Sequence, residues 1–80
     1  DEKYKLAIRY YPNPVNSKLH LELPIGRNEI ELLSAQGQVV DNVVSLDVSF
    51  DYAMDKLSNG VYFLKITNGE KQHVIRVVKQ

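Results

Sequence analysis

The sequence predicts an all-β domain in which seven short strands form an antiparallel sandwich with Greek-key connections. Three observations carry this. Apolar and polar residues alternate with a period of two, most cleanly where Leu46, Val48, Phe50 and Tyr52 interleave with Ser45, Asp47, Ser49 and Asp51, a spacing that no 3.6-residue helix keeps on one face. Turn residues recur about every eight to twelve positions, as sandwiches require. No amphipathic segment of helix length occurs. A small closed barrel is the alternative arrangement of the same strands.

Residues 1–4 read as a charged linker stub and residues 5–80 as the domain. Leu6, Ile8 and Tyr10 alternate with Lys5, Ala7 and Arg9, predicting a first strand with Tyr10 in the core. Tyr11-Pro12-Asn13-Pro14-Val15-Asn16 interrupts it. Its two prolines lack ladder donors and push Tyr11 and Asn13 toward extended geometry, which predicts a rigid crossover with Asn13 and Asn16 as turn residues.

Leu19, Leu21 and Leu23 against Lys18, His20 and Glu22 make the second strand, closed by Pro24. After a turn over residues 25–28, Ile30 and Leu32 against Glu29 and Glu31 make the third. Residues 34–38 have hairpin length, with Gly37 at the positive-φ position. Val39-Val40 and Val43-Val44 predict a fourth strand bulged at Asp41-Asn42. The fifth begins at Leu46. Residues 52–57 fit an irregular crossing or a single helical turn, with Leu57 as an anchor at its end.

Leu57-Ser58-Asn59-Gly60-Val61-Tyr62 is a corner feeding a buried strand. Gly60 takes positive φ without steric cost, and Tyr62 is spaced to turn its hydroxyl back onto the corner, as a tyrosine corner does in immunoglobulin-like sandwiches. Tyr62, Leu64 and Ile66 then face inward and Val61 and Phe63 outward. Asn68-Gly69 predicts a type I′ hairpin leading to a seventh strand over residues 71–79.

Composition narrows the chemistry. Eighty residues make one domain able to bury only roughly 60% of its unfolded surface, which leaves little room for an enzymatic cleft. There is no cysteine, and ten acids balance ten bases, so nothing electrostatic argues for nucleic acid or an anionic membrane. Charge is uneven all the same. Residues 28–55 hold Glu29, Glu31, Asp41, Asp47, Asp51 and Asp55 with no Lys or Arg, whereas from Lys56 onward Glu70 is the one acid among five bases. No membrane-length apolar window or leader-like start is present, so the chain is expected to follow a removed export signal or to be part of something longer.

Catalytic groups do not assemble on paper. His20 and His73 lie on the polar faces of different strands without a third ligand, so no metal and no cofactor is expected. Asp47 and Asp51 share a strand face about 13 Å apart, too far for a hydrolytic pair. No nucleophile elbow or phosphate-binding glycine pattern occurs, and the domain reads as a non-enzyme. Tyr4, Tyr10, Tyr11, Tyr52 and Tyr62 could form a sugar platform, but Tyr10, Tyr52 and Tyr62 are assigned to the core.

The order of these signals resembles a known family. Tyr11-Pro12-Asn13-Pro14-Val15, the alternating leucines, Ile30-Glu31-Leu32 leading to Gly37-Gln38-Val39-Val40, the corner from Leu57 to Ile66 and a short basic last strand are similar to the C-terminal sorting domain of type IX secretion cargo proteins. Ala35-Gln36 departs from it where an acid often precedes the glycine. The resemblance implies a delivery module, fused behind a larger cargo domain in a Gram-negative bacterium. It implies a periplasmic passage, export to the medium or the outer-membrane cell surface, and partners in the type IX translocon and a sortase-like peptidase that cuts at or before residues 1–6. On this view recognition uses the corner at Asn59 and Gly60, the last strand through Val77, Val78 and Gln80, and the charges of Lys65, Lys71, Arg76 and Lys79. Pairing into a homodimer through edge strands is also open, and no nucleic-acid partner is expected. An immunoglobulin-like adhesion or spacer module and a carbohydrate-binding sandwich are the alternatives; a solvent-facing tyrosine cluster would mark the last.

Overall fold

A computed structural model of the chain describes residues 8–80, so the linker stub, Tyr4 and the first strand's start at residues 5–7 lie outside the described residues. Seven strands follow: β1 (Arg9–Tyr11), β2 (Lys18–Glu22), β3 (Asn28–Ser34), β4 (Val39–Ser45), β5 (Ser49–Ala53), β6 (Gly60–Asn68) and β7 (Lys71–Lys79). They form two antiparallel sheets, β1-β2-β5 and β4-β3-β6-β7. The result is the predicted sandwich and not the barrel. The chain changes sheet between β2 and β3, between β4 and β5, and between β5 and β6.

Period-two alternation explains the core. Leu19 and Leu21 of β2 face Ile30 and Leu32 of β3, Leu64 and Ile66 of β6, and Ile75 and Val77 of β7, in one cluster of buried side chains. Connections add Val15, Leu23 and Met54. Met54 is fully buried, because its backbone N–H donates to Ser17 O (2.7 Å) and draws the β5–β6 crossing inward; this crossing is a turn and not a helix.

Several sequence expectations change. Tyr10 pairs with the inward-facing Leu21, but β1 is the outermost strand of its sheet, and Tyr10 stays 36% exposed. Leu46 and Val48 are not in β5. They sit on the β4–β5 crossing, 74% and 53% exposed, where Val48 O accepts Leu23 N–H (2.8 Å) and the Ser45 hydroxyl accepts Asp47 N–H (3.2 Å). The bulge falls one step earlier than Asp41-Asn42, because Leu32 pairs Asp41 and Leu33 pairs Val39, which leaves Val40 as the extra residue. The β6–β7 hairpin closes on Asn68 paired with Lys71, so its loop is Gly69-Glu70. Only the glycine has positive φ (61°), which is the type II′ pattern and not type I′.

Freed from the loop, Asn68 works elsewhere. Its Nδ2 donates to Ile25 O and to Asn28 Oδ1, both at 3.1 Å, and the fully buried Asn28 donates to Pro24 O (2.9 Å). This pair of amides ties the β2–β3 turn to the β6–β7 hairpin at one end of the sandwich.

Along the margin where β4 and β5 meet, the Tyr52 hydroxyl donates to Asp41 Oδ2 at 2.6 Å. Burial pushes the phenol's pKa far up, and the hydrogen bond and negative charge of Asp41 push it further. A raised folded-state pKa favours the neutral phenol, so this contribution is intact below the unfolded value of about 10 and is lost as pH rises above it. Tyr52→Phe should therefore melt a few degrees below wild type at pH 7, from loss of a bond worth about 1 kcal/mol. That gap should close in thermal melts taken between pH 10 and 11.5.

Candidate functional site

Most of the residues singled out in the sequence lie on β7 or on the two segments beside it, whereas Gly37 is in the β3–β4 loop, away from β7. On one side is the corner. Gly60 has φ 149° and Asn59 and Gly60 are exposed, while Leu57 packs on the core. The Tyr62 hydroxyl donates to Ser58 O at 2.7 Å, so the side chain hooks the segment that precedes its own strand, as the spacing predicted. Gly60 pairs with Lys79, which places the corner beside the end of β7.

On the other side lies the segment containing Pro12 and Pro14. Here Asn13 is a clamp and not a local turn residue. Its Nδ2 donates to Arg76 O and its Oδ1 accepts from Val78 N–H, both at 2.9 Å. Val15 continues the contact in backbone form, with its N–H donated to Val78 O (2.8 Å) and its carbonyl accepting Gln80 N–H (2.9 Å), in a parallel bridge with Lys79. A side-chain amide and the backbone of one residue thus take the place of a neighbouring strand along the C-terminal half of β7.

This geometry re-sorts the recognition residues. Val77 is fully buried and Lys79 is 7% exposed, because both share the inward phase of Ile75; the Lys79 ammonium turns to Gln80 O at 3.2 Å. Neither presents itself to a partner. Lys71 and Arg76 are exposed, Lys65 and Val78 half-buried, and all but Lys71 lie on the outer face of the four-stranded sheet with Val61, Phe63 and Val74. The main-chain groups on the outer side of β7 are closed from Arg76 O onward.

The outer face of the three-stranded sheet carries a polar cluster that the sequence hid. His20 Nδ1 lies 2.7 Å from Asp51 Oδ1, Arg9 3.7 Å from Glu22, and the Tyr11 ring 4.9 Å from the His20 ring. Register aligns them, since β2 is flanked by β1 and β5 and its polar face is shared by all three strands. His73 is on the other sheet. No group of three His, Asp or Glu among the described residues is arranged to hold a metal. Tyr10 and Tyr11 point to opposite faces of β1, Tyr52 is buried and Tyr62 is hooked to Ser58, so the described tyrosines form no cluster for a sugar.

A family model described as the secretion system C-terminal sorting domain matches residues 9–80. Among solved structures, the chain is similar to PorZ, described as an essential bacterial surface component of the type-IX secretion system of human oral-microbiomic Porphyromonas gingivalis. The TM-score is 0.78 at 16% identity, over 92% of this chain and 11% of that one. The chain therefore spans a small part of that protein, and the likeness is one of fold. No curated protein sequence matches it.

Two outcomes test the clamp and the corner. Asn13→Ala removes two hydrogen bonds from β7 and should cost about 1–3 kcal/mol, lowering the melting temperature by about 5–15 °C. Tyr62→Phe keeps the ring and loses only the bond to Ser58 O, so its melt should fall by a smaller amount, about 4–8 °C for roughly 1 kcal/mol.

Proposed function

This chain belongs to the family of secretion-system C-terminal sorting domains, and on that premise we propose how it serves its cargo. The family is not a catalytic one. The domain is the sorting signal of type IX secretion, which directs a cargo protein across the outer membrane toward the cell surface. In our reading the cargo precedes residue 5, the folded domain is met by the translocon in the periplasm, and a sortase-like peptidase cuts within or before residues 1–6 as the cargo is released or attached to the surface. What the machinery reads is a folded surface. The residues that display it are Asn59 and Gly60 at the corner, Lys65, Arg76 and Val78 on the outer sheet face, and Lys71 beside the hairpin; Tyr62, Asn13 and the buried Val77 and Lys79 hold that surface in place.

One observation carries this reading: the family match runs from β1 through the last residue of β7, so it takes in the clamp, both sheets and the corner as one unit. Residues 1–80 fused behind a neutral reporter should carry it out of a bacterium with a working type IX system, and should leave it in the periplasm of a strain lacking the translocon. Equal reporter outside both strains, or in neither, would contradict the reading.

A further inference from the structure

We propose that the N-terminal half of the β7 edge, residues 71–76, is a docking strip on which an acidic, extended segment of a partner protein adds as a fifth strand. This rests on the sorting role of the domain and names the kind of partner that role requires. In an antiparallel ladder the residues whose main-chain groups face away from the neighbouring strand recur every second position. Arg76 O and Val78 N–H face Asn13, and Val78 O faces Val15. The same phase turns the N–H and C=O of Gln72 and Val74 outward, together with Arg76 N–H. The clamp stops at Arg76 O, and β7 is the edge of its sheet, so among the described residues nothing pairs with these groups. The strip has room for about five residues of added strand.

Charge selects the occupant. Lys71 and Arg76 stand exposed at the two ends of the strip, Lys65 lies directly across from Val74, and Val74 itself is 55% exposed. The acids nearby are Glu70 in the turn and Glu31, which pairs with Lys65 from the far side. An acidic strand with one apolar side chain beside Val74 would meet both the ladder and the cations. A second copy is a poorer fit, because its free edge strand β4 offers Asp41 as its only charge and the same cations deter like strands. The clamp also fixes register, since an added strand cannot slide past Arg76.

Amide exchange of the 80-residue chain at monomeric concentration tests whether the strip is open. Gln72 and Val74 should exchange rapidly, while His73, Ile75, Val77 and Val78 stay protected. Protection of Gln72 and Val74 would overturn the proposal, since the strip would then be closed within the monomer itself. Reporter fusions test its use. Val74→Pro removes an outward N–H without touching the β6 ladder, and the pair Lys71→Glu and Arg76→Glu reverses the charge. Each should cut exported reporter by about tenfold, with Val44→Pro on β4 exporting as wild type. If Val74→Pro melts well below wild type, the charge-reversed chain decides. Its wild-type export, or an equal loss in Val44→Pro, would overturn the strip and leave the sorting role standing; failure of the unmutated fusion would strike the sorting role instead.

Discussion

Asn13 offers β7 the donor and acceptor of a peptide group from a side chain, and Val15 follows it with its own backbone N–H and C=O. Between them they satisfy three main-chain groups of β7 and the Gln80 N–H just past its end, on a strand that would otherwise be open along its whole outer side. The prolines on either side make this possible. Neither has an N–H to divert, and each fixes its own φ, so few backbone arrangements remain to a bent segment that brings the Asn13 amide and the Val15 backbone onto β7 in succession. The segment belongs to the connection leaving β1, so the contact fastens one sheet to the other. Four hydrogen bonds at about 1 kcal/mol each are a large share of the roughly 5–15 kcal/mol that holds a typical domain together.

The same device recurs around the rim. At the β4–β5 margin Tyr52 and Asp41 join the sheets, at the hairpin end Asn28 and Asn68 join two turns, and at the corner Tyr62 holds Ser58. The chain has no cysteine to staple a small core. Polar side chains reaching across the seams take that part, and the apolar cluster between the sheets supplies the bulk of the driving force. Every buried side-chain polar atom among the described residues has a partner, which is what a sandwich this small needs to remain in one arrangement.

Much of the fold is legible in the residues. The leucines of β2 and the Ile30-Leu32 pair of β3 alternate and lie in the core, and the Tyr62 corner follows from its spacing to Gly60. The departures share a cause, which is that a local pattern does not fix where pairing begins. Leu46 and Val48 continue the alternation of β5 into a crossing where the β2–β5 register has ended, with only the bond from Leu23 N–H to Val48 O beyond it. Asn68-Gly69 has the composition of one hairpin turn, but the register between β6 and β7 selects another. Val77 and Lys79 have the look of display residues in a short basic strand and yet are buried, since the phase of β7 is set by Ile75 against the core. The clamp lies beyond local reading altogether, because Asn13 and its partners are 63 and 65 positions apart.

An edge strand left wholly open is a template for pairing with another copy, and a half-closed edge limits that. Asn13 and Val15 remove one end of β7 from open pairing, and cations flank the rest. The closure of the sandwich therefore turns on whether a side-chain amide really bonds to the last strand. Scalar coupling across hydrogen bonds observes this directly: the Val78 amide nitrogen should show coupling to the Asn13 side-chain carbonyl carbon, of the size seen across the backbone bonds between β6 and β7. A Val78 amide with no coupling to Asn13 would contradict the account.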